Sequence, residues 1–188
     1  MVYGELYRSP LGELLMESDG DCLTALRFDS QQYLRVGHVP TRFLKTDSVH
    51  TIEGRTADLK IFNATREWLD QYFSGKIPTF IPPLRLEGTT FQKEVWDLLL
   101  QIDYGKTVTY KSLAERIAQK RGMAKMSAQA IGGAVGRNPV GIIVPCHRVI
   151  GSDGSLTGYA GGLWRKKWLL DLERKIECDC HTQKIRLE

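Results

Sequence analysis

The segment Ile142-Ile143-Val144-Pro145-Cys146-His147-Arg148-Val149 sets a thiol, an imidazole and a guanidinium side by side behind an apolar run and a proline. A cysteine acts as a nucleophile once its proton is removed and its charge is held, and His147 and Arg148 are residues of the types that do both. The apolar run reads as a strand ended by Pro145, which takes an N–H out of the ladder. Cys146 is therefore predicted to lie where the chain leaves a sheet. Two readings stand open at this point: a reactive nucleophile, or the small buried hydrophobe that most free cysteines are. Neighbouring side chains in a strand face opposite ways, so a relay from Cys146 to His147 needs a bend after the proline or a bridging water. A cysteine protease is disfavoured, because its thiol and histidine come from distant segments. The other candidates, His38 and His50, sit in a weakly patterned stretch.

The elements that must hold these groups belong to a chain of 188 residues, 42% hydrophobic and 26% charged, enough apolar material for one or two small domains. No run approaches a membrane span, and Met1-Val2-Tyr3-Gly4-Glu5 lacks the layout of a secretory signal, so a cytoplasmic protein with no membrane partner is expected. In a reducing compartment Cys22, Cys146, Cys178 and Cys180 are expected to stay unpaired. Cys178-Asp179-Cys180-His181 has half the look of a metal site, but its spacing is not the usual zinc pattern and no second ligand pair accompanies it; residues 179–188 read as a solvated tail. The net charge of +4 is unevenly spread. Residues 1–84 carry nine Lys/Arg against eleven Asp/Glu, and residues 85–178 carry fifteen against nine. A basic half suits a polyanion partner, although a charged face that merely meets water gives the same excess.

The opening reads as a small antiparallel meander: Tyr3 to Tyr7, a Ser9-Pro10-Leu11-Gly12 turn, Glu13 to Ser18, an Asp19-Gly20 turn, and Cys22 to Phe28. Residues 29–55 are polar, and Ala57 to Phe73 carries Leu59, Phe62, Leu69 and Phe73 at helical spacing before Gly75. The class is thus α+β. Ile77-Pro78-Thr79-Phe80-Ile81-Pro82-Pro83 reads as an extended connector, with the boundary between a domain 1–84 and a domain 85–178 near Leu84. Beyond it, Thr89 or Thr90 is expected to cap a helix whose face holds Phe91, Val95, Leu98, Leu99 and Ile102, and the spacing of Thr89 and Gln92 suits a capping box.

Thr109 to Ala118 and Ser127 to Val135 read as two helices joined by a basic turn, a helix-turn-helix in the basic half. The second helix is bare: Ala128, Ala130, Gly132, Gly133, Ala134 and Gly136 strip its surface, and each interior glycine costs about 1 kcal/mol against alanine. Something approaches that backbone closely, either a neighbouring helix or a nucleic-acid groove.

Pro145-Cys146-His147-Arg148-Val149, preceded by Arg137-Asn138-Pro139 and followed by Gly158-Tyr159-Ala160-Gly161-Gly162, resembles the O6-alkylguanine-DNA alkyltransferases, the methylated-DNA–protein-cysteine methyltransferase family. The likeness is dense from about Thr90 to Glu173. Ser9-Pro10-Leu11-Gly12 with its strands is similar to the family's N-terminal domain, and only the tail after Lys175 lies outside. The resemblance implies a ribonuclease H-like N-terminal α+β domain and a mostly helical, winged-helix-type C-terminal domain. It implies a monomer that flips an alkylated guanine out of double-stranded DNA and moves the alkyl carbon from O6 to Cys146 by direct displacement, once and irreversibly, with no metal or organic cofactor.

In family terms His147 takes the thiol proton through a water while Glu173 holds the imidazole. Tyr110 helps rotate the nucleotide and donates to guanine N3, and Asn138 braces the turn before the cysteine. Val149, Tyr159 and Ala160 contact the base through backbone and lid. Ser127, Ala128, Gln129, Gly132, Gly133 and Arg137 belong to the recognition helix and its end, which enters the minor groove. Gln129 departs from the pattern, since the family commonly has an arginine there to fill the stack left by the flipped base. The zinc site of some N-terminal domains finds no clear counterpart among Cys22, His38 and His50. A non-catalytic alkylated-base-binding protein is the competing implication, but such proteins replace the cysteine that Cys146 supplies. A helix-turn-helix regulator would need neither Cys146 nor the lid glycines. Whether O4-alkylthymine is also a substrate stays open.

Overall fold

The structure, a computed structural model, describes residues 2–28 and 59–185, the last ten of these by backbone alone. His38, His50 and the helix start read at Ala57 lie outside the described residues, as do the side chains of Cys178, Cys180 and His181. The chain forms two compact units, Met1–Glu87 and Gly88–Glu188.

In the first unit, alternating apolar residues and tight turns make an antiparallel meander of β1 (Tyr3–Ser9), β2 (Gly12–Ser18) and β3 (Leu23–Phe28). Ser9 closes the first turn twice over: its Oγ accepts the Leu11 N–H at 3.1 Å and donates to the Gly12 carbonyl at 2.6 Å. Gly12, at φ 108, adopts a conformation that side chains resist. Asp19 makes the second turn by accepting the Asp21 and Cys22 N–H groups. Leu14, Met16, Leu23 and Leu26 are buried together with Ile61, Phe62, Leu69 and Tyr72 of α1 (Lys60–Phe73), which packs on all three strands. Leu59, read inside that helix, is its extended N-cap instead. After the proline-rich connector the chain returns to the sheet. The Leu23 N–H donates to the Pro83 carbonyl at 2.8 Å and the Arg85 N–H to the Leu23 carbonyl at 3.0 Å, so Leu84 bridges in parallel to β3.

The second unit begins with α2 (Thr90–Leu99), whose capping box joins Thr89 and Gln92 as read from the spacing. β4 (Val108–Thr109) leads directly into α3 (Tyr110–Lys120), capped reciprocally by Thr109 and Ser112. After an exposed turn comes α4 (Ala128–Gly136), capped by the Ser127 hydroxyl on the Gln129 N–H. β5 (Val149–Ile150) pairs in parallel with β4, and α5 (Leu163–Ile185) closes the unit. Trp96, Leu99, Leu113, Ile117, Ile131, Val135, Val144, Leu169 and Leu170 form its core, each such burial worth about 1.5–3 kcal/mol. The Trp96 indole N–H donates to the Ala134 carbonyl at 2.9 Å and ties α2 to α4.

Two expectations are corrected. The run Ile142–Val149 is not a strand: residues 141–143 turn, Cys146–Arg148 make one 3₁₀ turn, and only Val149 and Ile150 find a ladder partner. Apolar content without a neighbouring strand does not make a sheet, and a buried turn carries the same composition. The segment read as a tail continues α5 as far as Ile185.

Candidate active site

The cysteine is delivered by a braced turn. Asn138 accepts the Val140 N–H at 3.1 Å through Oδ1 and donates from Nδ2 to the Val144 carbonyl at 2.8 Å, so one amide spans the whole loop. The brace holds Ile142 at φ 68, a left-handed conformation that a β-branched residue adopts only under constraint. The 3₁₀ turn then resolves the geometric difficulty of adjacent residues. At three residues per turn, Cys146, His147 and Arg148 leave the backbone in three directions rather than two. Cys146 ends half-buried, while His147 and Arg148 turn inward.

Both meet Glu173, a fully buried carboxylate one face along α5. His147 Nε2 lies 2.8 Å from Oε1, Arg148 donates to both oxygens, and the Gly105 N–H donates to Oε2 at 3.1 Å. Burial opposes the charge on Glu173, but the His147 and Arg148 hydrogen bonds prevail and hold its carboxyl at about 2. An ionised carboxylate has no proton to donate, so His147 carries its proton on Nε2 and its lone pair on Nδ1. Burial, only partly offset by Glu173, pushes the imidazole below its ordinary value and keeps it neutral, the form that can accept a proton.

Burial also pushes the Cys146 thiol up, against the Asn138 hydrogen bond and the field of Lys166. The resting pair is therefore a thiol and a neutral imidazole. Such a site ionises its sulfur as the reaction proceeds rather than beforehand.

Above the thiol, Tyr110 stands at the start of α3 between α4 and the loop 157–162. Its hydroxyl donates to the Thr157 carbonyl at 3.1 Å, and a Cβ built on Gly132 would lie 3.9 Å from its ring. Tyr159 is half-buried, Ala160 is exposed, and the Val149 carbonyl accepts from Lys166 at 2.6 Å. Burial and the nearby sulfur raise the Tyr159 phenol well above its ordinary value, so it stays a neutral donor.

On α4, Ser127, Ala128, Gln129, Ala130, Gly133 and Gly136 are exposed, and so is Arg137 at its end. Among the described residues, a Cβ on Gly133 would meet only the movable end of Arg137 at 3.5 Å, and one on Gly136 would meet nothing within 4 Å. Nothing described in the chain requires glycine at either place.

Cys146, His147, Glu173 and Asn138 thus converge, and Tyr110 with the loop 157–162 covers them. Two participants escaped the sequence reading. Arg148 was noticed as a cation beside the thiol, yet it serves the carboxylate. Lys166, fully buried, sits in an Arg165-Lys166-Lys167 run that looks like any solvated helix face. Among the described residues no group of three metal-ligating side chains gathers, and no helix is long and apolar enough to cross a membrane.

Residues 2–86 match the family model described as 6-O-methylguanine DNA methyltransferase, ribonuclease-like domain, and residues 90–175 match the DNA binding domain of the same name. The chain is 40% identical over 187 residues to the methylated-DNA–protein-cysteine methyltransferase of Haemophilus influenzae, covering 98% of this chain and 93% of that one. It is 41% identical over 174 residues to the Mycobacterium bovis protein of that name, covering 93% of each. Among solved structures, it resembles the Mycobacterium tuberculosis O6-methylguanine methyltransferase at 39% identity and TM-score 0.71, covering 93% of this chain and 94% of that one. A Mycobacterium tuberculosis OGT in complex with DNA superposes at TM-score 0.68 and 38% identity, over 91% and 92% of the two chains.

Proposed function

Since the chain belongs to the methylated-DNA–protein-cysteine methyltransferase family, we propose that Cys146 is the residue that takes the alkyl group, that alkylated guanine in double-stranded DNA is its source, and that the protein acts as a monomer. The protein repairs DNA by alkyl transfer to cysteine. Cys146 sulfur attacks the alkyl carbon, a carbon–sulfur bond forms, and the bond from that carbon to guanine O6 breaks. The electron pair leaves with guanine, and the thiol proton passes by way of His147, the neutral base aligned by Glu173. A protonated ring nitrogen then restores guanine. The thioether has no leaving group to regenerate the thiol, so each molecule acts once.

Tyr110, a neutral phenol held above its ordinary value by burial, turns its one hydroxyl proton from the Thr157 carbonyl to the departing purine. Asn138 positions the turn that carries Cys146. Val149, Tyr159 and Ala160 line the base's side of the site. Ser127, Ala128, Gln129, Gly132, Gly133 and Arg137 meet the duplex, and the bare helix explains itself in this light: the space above Gly133 and Gly136 belongs to a partner outside the chain.

The observation that carries the reading is the half-buried Cys146 in a 3₁₀ turn whose next residue is locked to a buried, ionised carboxylate. The test is intact mass after incubation with duplex DNA containing O6-methylguanine. One methyl is expected, on the peptide containing Cys146, and Cys146→Ala is expected to bind the oligonucleotide without gaining mass. A methyl acquired by that variant, or found on Cys22, would sink the assignment.

A further inference from the structure

α5 opens on two large apolar side chains that meet water: Leu163 is 48% exposed and Trp164 is 58% exposed. A single exposed apolar residue is ordinary, but two together, directly after the loop 157–162, make a patch beside the mouth of the site. Trp68 and Trp96 are buried and Trp168 is half-buried, so among the described residues only Trp164 offers its ring to a ligand. Gly161 and Gly162 precede the patch and bring no side chain to cover it. Gly162, at φ 92, makes a turn that other residues resist, and a Cβ built there would lie 3.5 Å from Cδ1 and Nε1 of Trp164.

The indole is held in place. The Arg165 guanidinium carbon stands 4.6 Å from its ring centroid, within cation–π range, and Arg165 Nη1 donates to the Gly161 carbonyl at 2.7 Å. A row of groups leads from there to the reacting sulfur. Burial is the largest influence on the Tyr159 phenol; after it come the Cys146 sulfur, which raises it, and the Arg165 guanidinium, which lowers it. Tyr159 thus lies within the field of both, and Arg165 in turn lies against Trp164.

A methyl group on guanine O6 ends at the sulfur and needs no such row. A larger substituent stands to the side of the line from O6 through the reacting carbon to sulfur, and it must find room at the mouth. The bare face of α4 is assigned to the duplex, which leaves the α5 rim for the substituent. We propose that Trp164 is a specificity-determining residue, whose open ring packs against a large aromatic O6 substituent such as benzyl and raises the preference of the site for it. The step is the displacement already described: the benzylic carbon bonds to sulfur, its bond to O6 breaks, the electron pair leaves with guanine, and the thiol proton passes by way of His147. The proposal rests on the reading of Cys146 as acceptor.

The test uses one duplex sequence carrying either O6-benzylguanine or O6-methylguanine, so that effects on DNA binding cancel in the ratio of the two transfer rates. The wild type, Trp164→Ala and Trp164→Phe are compared, with free O6-benzylguanine as a third substrate. Trp164→Ala is expected to lower the benzyl-to-methyl ratio about tenfold, the scale of one aromatic contact in a specificity pocket. Free O6-benzylguanine should slow in parallel, and Trp164→Phe should keep most of the ratio because it keeps a ring. A ratio equal to the wild type in Trp164→Ala would overturn the proposal, as would a wild type that takes methyl and refuses benzyl. Equal slowing of both duplexes with the free base unaffected would assign the indole to the duplex and overturn it too. A wild type that gains neither group would instead overturn the reading of Cys146.

Discussion

Arg148 grips both carboxylate oxygens of Glu173, with Nε 2.9 Å from Oε2 and Nη2 3.0 Å from Oε1. Its remaining terminal nitrogen donates to the Ile102 carbonyl at 2.6 Å, and the guanidinium lies over the Tyr104 ring at 5.4 Å. This planar, bidentate pairing is what arginine does and lysine cannot. It keeps Glu173 charged in a dry place, and a charged Glu173 fixes which nitrogen of His147 holds the proton.

The relay has a kinetic consequence. His147→Ala is expected to slow transfer to duplex O6-methylguanine by about two orders of magnitude, the loss of a general base. Glu173→Gln should slow transfer less but cost more in folding, about 3–5 kcal/mol, because it strands the buried Arg148 charge. Single-turnover rates and urea midpoints on the same samples would check both. Unchanged rates in both variants would mean that another group takes the Cys146 proton.

Acid should destabilise the protein in two stages. Burial holds His147 below its ordinary 6.5, so as the pH falls through 6.5 the unfolded chain binds a proton that the folded one refuses, and stability drops. Glu173 repeats this between its ordinary 4.5 and about 2. Urea midpoints from about pH 8 to about pH 3 should decline over both windows, and His147→Ala should remove the first. A flat curve above pH 5 in the wild type would show that folded His147 is charged.

Gly133→Ala should separate stability from function. The added methyl meets only the end of Arg137 at 3.5 Å, so the helix should gain up to about 1 kcal/mol. The same methyl occupies the space we assign to the duplex, and affinity for DNA should fall. Thermal melts and fluorescence anisotropy would be compared; affinity equal to the wild type would place the groove elsewhere.

Gln129 is exposed on the first turn of α4, among alanines. Gln129→Arg should tighten duplex binding and steepen its salt dependence by up to about one unit of slope, from one added cation. Gln129→Ala should slow repair of duplex DNA with the slope nearly unchanged, and should leave free O6-benzylguanine transfer alone. Equal slowing of the free base would put Gln129 in the pocket or core.

Much of this site was legible in the chain because its signals are local. A capping box such as Thr89 with Gln92 is a contact between residues three apart, and the meander turns are written in Ser9, Gly12, Asp19 and Gly20. The order Asn138, Pro145, Cys146, His147 is likewise a continuous stretch, and its resemblance to one family already brought Glu173 and Tyr110 into the site. What local pattern could not decide is the state of groups that meet across long separations. Ile142–Val144 has a strand's composition but no strand to pair with, and only the Asn138 brace shows that it turns. In sequence Arg148 is a cation beside the thiol and Lys166 one more charge in a basic run, and nothing local shows that either is buried. One is buried against a carboxylate 25 residues away and the other against carbonyls 8 to 17 residues away. Composition limits what a side chain is able to do, while its charge, tautomer and partner depend on which distant groups exclude water around it, and that is settled only when the helices close.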